Sequence, residues 1–246
     1  MDIYLTEDIV IKNNITYYQD KNKLKKVSNG NWHNILDQLG WSKIPLPWVK
    51  RLNKLSPTYA KNSPFGVLDC ESDGDCFFHC IATALNNHSS MNINKDFDIK
   101  TSSDIRQIIA ESITEDNFII IMNYYKIMKD AGDFQENWDP YKINSLSEFQ
   151  TELKTSGHNY WCDYILLNEI IKVLKLNIFI LTNNDYEKDY SIYNTLIDYN
   201  CEYDSIFILF ENDCHFKLIG YFDGGKILSY FTENIPIELM RLYNLR

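Results

Sequence analysis

The sequence Asp-Gly-Asp-Cys at positions 73–76 combines a tight turn with a thiol, and an apolar pattern typical of a helix follows it. Gly74 suits the turn because a residue without a Cβ crosses it at no steric cost. If the helix begins at Cys76, the thiol faces unpaired backbone N–H groups and the positive end of the helix dipole. Both favour a thiolate, and the free N–H groups of the turn can hold an oxyanion. The sequence therefore predicts that Cys76 is a nucleophile.

Cleavage of an amide by a thiol also needs a base that accepts and returns a proton, and a group that orients this base. Of the five histidines, His215 opens a predicted strand, from which its ring can reach the start of the Cys76 helix. We interpret His215 as the base, with a structural histidine as the alternative. His79 follows Cys76 by three residues, which places both on one helix face. Because the base should approach from another element, we expect His79 to support the site instead.

The cysteine motif resembles the signature of the OTU family of cysteine proteases, Asp-Gly-Asp/Asn-Cys-hydrophobic-Phe. Two later stretches are similar to the same family: Tyr-Trp-Cys-Asp-Tyr at 160–164 with the apolar run 178–180, and the strand 206–210 followed by His-Phe at 215–216. The resemblance extends over roughly residues 64–221 in matching order. It implies a papain-like fold of the α+β or α/β type, with a small, mostly antiparallel central sheet packed between helices. It also implies cleavage of ubiquitin, or a ubiquitin-like protein, from its conjugates.

The resemblance further implies that backbone groups of Asp73, Gly74 and Cys76 form the oxyanion hole, so that Asp73 is counted among the catalytic residues. A carboxylate aimed at an oxyanion would oppose its binding, and we therefore expect the side chains of Asp73 and Asp75 to shape the turn. Trp161 resembles a residue that lies near the catalytic histidine in the family. A buried core aromatic is the alternative for Trp161.

The residue that orients His215 is not determined by the motif. Many OTU proteases have Asp or Asn two residues after the histidine, but this sequence has Lys217, which cannot accept a proton or orient the ring. One OTU subgroup takes its acid from upstream of the cysteine. The candidates here are Asp37 and Asp69 upstream, and Asp213 in the turn before the histidine. A Cys-His dyad without a third member is also open.

Zinc binding is the main alternative chemistry for this region, since Cys70, Cys76, His79 and Cys80 supply four possible ligands within eleven positions. Structural zinc sites usually draw two pairs of ligands from separated segments. Here the ligands form one compact group, partly on one helix. We therefore expect no metal and no cofactor, and free thiols rather than a disulfide framework.

Composition restricts the class of partner. The 246 residues carry a formal net charge of −10, and 45% are hydrophobic. Such an acidic chain is a poor match for phosphate backbones, which need clustered Lys and Arg, so no nucleic-acid partner is expected. No apolar run approaches the roughly 20 residues that span a bilayer, and the first residues show no signal-peptide pattern. We expect a monomer in the cytoplasm, or in the nucleus, with no membrane partner.

We predict an N-terminal extension at 1–62, a catalytic domain at 63–231 and a C-terminal tail at 232–246. The extension is either a substrate-recognition element or more of the core. A strand or hairpin is expected at 2–11, and the four prolines at 45–64 predict an irregular connector. Periodicity predicts the other elements. The expected helices are 76–86, 104–113, 117–129, 146–153 and 161–174, and the expected strands are 178–181, 206–210, 215–222 and 227–231.

Three functions fit these patterns. The first is a deubiquitinating protease that hydrolyses isopeptide bonds at the C-terminal glycine of ubiquitin or a ubiquitin-like protein. The second is a catalytically weak or silent ubiquitin-binding module, because Lys217 stands where an acid is common. The third is an OTU-type protease that acts on a viral polyprotein. Fold alone does not separate them.

Overall fold

The structure is a computed structural model that describes residues 2–58, 62–91, 99–134, 138–157, 160, 162–193 and 198–245. Strands and helices alternate irregularly along these residues. The strands are β1 Ile3–Tyr4, β2 Ile9–Lys12, β3 Ile15–Asp20, β4 Lys23–Lys26, β5 Trp41–Lys43, β6 Phe65–Asp69, β7 Leu176–Asn183, β8 Ile192–Tyr193, β9 Asp204–Glu211, β10 His215–Phe222 and β11 Ile227–Leu228. The helices are α1 Trp32–Ile35, α2 Leu46–Leu55, α3 Cys76–Met91, α4 Ser102–Ser112, α5 Glu115–Ala131, α6 Leu146–Lys154, α7 Tyr164–Leu174 and α8 Ile237–Leu242, with 3-10 turns at Leu36–Leu39 and Pro140–Lys142.

A central sheet has the strand order β5-β6-β10-β9-β7-β8, and β11 pairs with β10. Every pairing in it is antiparallel except that of β7 with β9. Helices cover both faces, because successive residues of a strand point to opposite sides. In β9, Ile206 and Ile208 lie in the core shared with α3 to α7, while Phe207 and Leu209 lie in the core shared with α2 and α8. The predicted α+β class, with a mostly antiparallel sheet between helices, is confirmed.

The N-terminal strands β1 to β4 form a separate antiparallel meander. The hairpin expected at residues 2–11 is confirmed by the pairing of β1 with β2. Ile9 and Val27 are fully buried in the core that also contains α3, and the N–H of Thr16 donates to the carbonyl of Gly225 at 2.6 Å. The meander is therefore attached to the main sheet near the β10–β11 turn.

The irregular connector predicted at 45–64 is wrong over half of its length, because α2 occupies Leu46–Leu55. Pro45 caps this helix and Pro47 lies in its first turn, where a missing N–H breaks no intrahelical hydrogen bond. The indole N–H of Trp48 donates to the carbonyl of Thr182 at 2.9 Å, which fixes the helix on the sheet. Proline content alone therefore did not reveal the buried face of this helix.

The central sheet crosses the boundary predicted at residue 62, because β5 pairs with β6 from Trp41 opposite Leu68 to Lys43 opposite Gly66. Part of the predicted N-terminal extension thus supports the strand that precedes the cysteine turn. A recognition role for residues 1–62 stays a prediction.

Most predicted elements are present with shifted ends. Helix α3 continues to Met91, beyond the predicted end at 86, and residues 92–98, which follow it, lie outside the described part. Helix α4 begins before the predicted residue 104, because its N-cap Thr101 forms a capping box with Asp104. The last predicted strand is shorter than expected, and Phe231 forms only an isolated bridge with Ser205. No helix in the described residues is long and apolar enough to cross a membrane.

We predict that Gly66→Ala destabilises the protein and that Gly30→Ala does not. A Cβ at Gly66 would lie 2.2 Å from the ring of Trp32 and 2.6 Å from the carbonyl oxygen of Ser42, whereas a Cβ at Gly30 meets nothing closer than 3.8 Å. Overpacking of a core costs typically about 1–3 kcal/mol, and an unobstructed surface change less than about 0.5 kcal/mol. Urea unfolding measures both. Equal midpoints for the two variants would contradict the packing of Trp32 on β6.

Candidate active site

Helix α3 begins at Cys76, as the motif predicts, and Gly74 adopts the left-handed region with φ of 94°. The carboxylate of Asp73 accepts the backbone N–H of Asp75 at 3.0 Å, which closes the turn. Among the described residues, none accepts a hydrogen bond from the N–H groups of Gly74 or Cys76. The oxyanion hole at these N–H groups stays a prediction, whereas the Asp73 side chain shapes the turn as expected.

The second carboxylate of the turn, Asp75, is buried against Arg106 of α4. Both side chains are at most 1% exposed, and the guanidinium donates to Asp75 Oδ1 from Nε at 2.9 Å and from Nη2 at 2.5 Å. Arg106 also donates to the carbonyls of Leu153 and Tyr160, and the N–H of Gly157 donates to Asp75 Oδ1 at 3.0 Å. This network attaches the cysteine turn to α4 and to the segment between α6 and α7.

The role of Arg106 was missed by the sequence interpretation. The available signal was the position of Arg106 in the expected helix 104–113. It directly follows Ile105 and precedes Ile109 by three residues, and both isoleucines lie on the apolar face. An arginine on such a face is rarely buried without a partner. The ring of Phe78, 4.2 Å below the guanidinium, completes its environment.

His215 opens β10 as predicted, and its Nε2 lies 2.7 Å from Oδ1 of Asp69 at the end of β6. The antiparallel register pairs Asp69 with Lys217, so that His215 lies one diagonal step away on the same face. Burial alone would raise the pKa of Asp69. The hydrogen bond to His215 and the positive charge of Lys217 lower this pKa below its ordinary value.

The other two candidate acids lie elsewhere. Asp213 contacts the side-chain amide of Asn184 in the turn before β10. Asp37 belongs to the 3-10 turn Leu36–Leu39, where its carbonyl accepts the N–H of Gly40, and no bond in the described residues joins it to His215. Of the three acids proposed to orient the histidine, the structure therefore brings only Asp69 to the ring.

Strand β10 also reaches the thiol itself, because the backbone N–H of Phe216 donates to Sγ of Cys76 at 3.4 Å. Burial raises the pKa of the Cys76 thiol, while the N–H groups of Phe216 and Phe77 lower it by a smaller amount. The net direction is upward, opposite to the direction expected from the helix start. The N–H donors favour the thiolate as predicted, but the desolvation of a side chain that is only 8% exposed is larger.

His79 faces the turn rather than another element, with Nε2 at 3.1 Å from Asp73 Oδ2 and 3.6 Å from Glu71 Oε2. This agrees with a supporting position for His79. The predicted position of Trp161 beside the site lies outside the described residues.

The four possible zinc ligands do not meet at one point in the described residues. Glu71, Asp73 and His79 form the one group of three or more potential ligands found there, and its two carboxylates are exposed. Cys70 and Cys80 are buried in the main core, as expected for small hydrophobic residues.

The aspartate of the 160–164 stretch has a helix-capping role. Asp163 is the N-cap of α7, and its Oδ1 accepts the N–H groups of Ile165 at 2.9 Å and Leu166 at 3.1 Å. Burial raises the pKa of Asp163 to about 6 against the lowering effect of these bonds and of Tyr125. Asp163 therefore caps α7, but burial of its charged form is unfavourable.

No family model and no curated protein matches this sequence. Solved structures similar to it are OTU domains. They include the OTU domain of OTUD1, at 15% identity and a TM-score of 0.39 over 63% of this chain and 85% of that chain. An ovarian tumor (OTU) domain in complex with ubiquitin has 17% identity and a TM-score of 0.40 over 72% and 80% of the two chains. An OTU deubiquitinase from Wolbachia pipientis wMel bound to ubiquitin has 11% identity and a TM-score of 0.41 over 66% and 99%.

These neighbours belong to the family that the cysteine motif resembles. At identities of 11–17% and TM-scores of 0.39–0.41, the likeness concerns the fold and carries no conclusion about activity.

We predict that Asp75→Ala lowers the free energy of unfolding by about 3–5 kcal/mol, because Arg106 is left as an unpaired buried charge. The matched control is Glu111→Gln, which breaks the exposed Glu111–Lys154 pair between α4 and α6. An exposed pair contributes less than about 1 kcal/mol. Urea unfolding of both variants measures the difference. A cost for Asp75→Ala no larger than that of the control would show that the turn does not depend on Arg106.

We predict that Asp163→Asn stabilises the protein at neutral pH. The pKa of Asp163 is about 6 in the folded protein and near 3.8 when unfolded, so the folded state retains the proton more tightly. Its contribution to stability is therefore full below about pH 4 and is lost as the pH rises through about 6. Asparagine stays neutral, so its advantage should be near zero at about pH 4 and reach at most about 3 kcal/mol above pH 7.

The control for this pH dependence is Asp139→Asn, at an exposed N-cap where the hydrogen bond from the N–H of Tyr141 and the ion pair with Lys129 lower the pKa of Asp139. Its substitution should have the opposite sign, with a small loss of stability at neutral pH. Thermal unfolding from pH 4.5 to 8 measures both variants. An Asp163→Asn profile parallel to that of the wild type would contradict the raised pKa.

Proposed function

We propose that the protein is an OTU-type cysteine protease that hydrolyses isopeptide bonds at the C-terminal glycine of ubiquitin or a ubiquitin-like protein. The observation that carries the proposal is the contact of Asp69 with His215 at 2.7 Å. The next residue, Phe216, donates its backbone N–H to the Cys76 thiol. The proposed nucleophile, base and orienting acid thus come from three separate elements, α3, β10 and β6.

In the proposed reaction, Cys76 attacks the carbonyl carbon of the C-terminal glycine while its proton passes to His215. The oxyanion is held by the backbone N–H groups of Gly74 and Cys76 and, as the family resemblance implies, by the backbone of Asp73. His215 then gives the proton to the leaving lysine amine, the C–N bond breaks, and a thioester with the enzyme remains. Water, deprotonated by His215, attacks the thioester and releases the ubiquitin carboxylate and the free thiol.

The raised pKa of Cys76 affects the first step of this reaction. A buried thiol that is neutral in the free enzyme must lose its proton as it attacks, so the base is needed in acylation as well as in release of the amine. Asp69 accepts from Nε2 and thereby leaves Nδ1 of His215 for proton transfer. The carboxylate also stabilises the imidazolium that forms, as in other nucleophile–histidine–acid sites.

The alternative of a silent ubiquitin-binding module was based on Lys217 at the usual position of the acid. A carboxylate from β6 now accounts for the orientation of His215, which removes the main reason for that alternative. Ubiquitin as the partner is supported by two of the similar OTU domains, which were solved with ubiquitin bound. The net charge of −10 would suit a basic face on the substrate. A monomeric protein in the cytoplasm or the nucleus remains part of this proposal.

We predict that ubiquitin bearing a C-terminal electrophile forms a covalent adduct with the wild type and none with Cys76→Ala, because the sulfur of Cys76 is the attacking atom. Asp69→Asn keeps the shape of the side chain but cannot stabilise the imidazolium, so the rate of adduct formation should fall at least roughly tenfold. Intact mass spectrometry of samples taken over time detects the adduct and measures its rate of formation.

Cys201→Ala is the matched control, since Cys201 is an exposed thiol that has no part in the site. Its adduct should form at the wild-type rate. Cys214 is exposed directly before His215. An adduct that persists in Cys76→Ala and disappears in Cys214→Ala would assign the reaction to the wrong thiol and overturn the proposal. A wild type that stays unmodified would overturn activity toward ubiquitin.

A further inference from the structure

Lys217 lies directly opposite Asp69 in the antiparallel pairing of β6 and β10. Its ammonium is 3.5 Å from Oδ2 of Asp69 and 2.7 Å from Oε2 of Glu211 on β9. The Lys217 side chain is only 18% exposed, although the Asp69 side chain is 62% exposed. A cation is thus held between two carboxylates from the strands on either side of it.

The two oxygens of the Asp69 carboxylate have different partners, since Oδ1 meets His215 and Oδ2 meets Lys217. A carboxylate at the exposed end of a strand would otherwise rotate freely, and a single hydrogen bond has to overcome that rotamer entropy. A second partner on the same face restricts the side chain to the orientation that serves the histidine. Glu211, in turn, restricts Lys217, whose long side chain is itself flexible.

We infer that Lys217 is a positioning residue of the site, which holds the Asp69 carboxylate against His215 and is itself held by Glu211. This inference deepens the proposed function and rests on it. Lys217 cannot orient His215 itself. It orients Asp69, and Asp69 orients His215. Where many OTU proteases have the acid two residues after the histidine, on the same strand, this protein has the cation Lys217 at that position of β10. The acid, Asp69, lies on β6 instead.

The charged and titratable groups near Asp69 come from several elements. His215 and Lys217 lie on β10, Glu211 lies on β9 beyond Lys217, and the nearby thiols belong to Cys70 and Cys80. Burial would lower the pKa of Lys217, but Glu211 and Asp69 raise it above its usual range, so the ammonium stays charged. Lys217 in turn contributes to the lowered pKa of Asp69.

The sign of the pH effect follows from these contacts. The pKa of Asp69 is lowered in the folded protein, so its carboxylate and the bond to His215 persist until the pH falls through that lowered value. Removal of the positive charge of Lys217 raises the pKa of Asp69. A variant without the Lys217 cation should therefore protonate Asp69, and lose the orientation of His215, at a higher pH than the wild type.

The test uses the full chain with Lys217→Met, which keeps the length and apolar stem of the side chain. With a ubiquitin-conjugated fluorogenic amine as substrate, kcat should fall roughly tenfold while KM changes by less than about twofold, because the substrate is bound equally and only the acid is misplaced. Lys217→Arg, which keeps the cation, should retain most of kcat. Lys172→Met is the matched control, since it removes an exposed lysine that forms an ion pair with Glu169 on α7, away from the site.

A second readout does not depend on activity. The side-chain carboxyl of Asp69, followed by NMR in Cys76→Ala protein, should titrate at higher pH when Lys217→Met is added and should not move when Lys172→Met is added. If the wild type does not turn over ubiquitin, the proposed function fails, and the titration alone decides whether Lys217 holds Asp69. An unmoved Asp69 midpoint, or an active Lys217→Met enzyme with wild-type kcat, overturns the inference.

Discussion

The antiparallel register between β6 and β10 is the constraint on which the site depends. It places Asp69 opposite Lys217 and one diagonal step from His215, and it brings the N–H of Phe216 to the Cys76 sulfur. Side chains alternate between the two faces of a strand, so a slip of one residue would turn His215 away from Asp69. The hydrophobic faces of the same strands prevent that slip, because Leu218 and Ile219 are buried in opposite cores.

A second constraint acts on the cysteine turn from below. The buried pair of Asp75 and Arg106 joins the turn to α4, while the same guanidinium holds the carbonyls of Leu153 and Tyr160. A pair of this kind contributes little net free energy compared with apolar packing, because both charges lose their hydration. The pair instead fixes the orientation of the cysteine turn relative to α4, while the turn itself remains partly exposed.

The electrostatics of the site differ from a simple helix-dipole account of a thiolate. Desolvation of Cys76 is stronger than the stabilisation from neighbouring N–H groups, so the pKa of the thiol is raised. Beside His215, the carboxylates of Asp69 and Glu211 are balanced by Lys217, which contacts both. In the proposed reaction, the carboxylate of Asp69 stabilises the positive charge that His215 gains.

Local patterns in the sequence determined the helix that begins at Cys76, the strand that begins at His215, most other elements and the α+β class, because periodicity and turn residues act over a few neighbours. They did not determine helix α2, whose prolines suggested a connector, or the end of α3 at Met91. Three aspartates were equivalent as partners of His215 in the sequence. Only the tertiary structure separated Asp69 from Asp37 and Asp213, and only it revealed Arg106 and the contacts of Lys217. Apart from the contact of Lys217 with the nearby Glu211, these depend on pairings between residues 31 to 148 positions apart in the chain. The packing of the whole sheet, rather than any local preference, sets the alignment of such pairings.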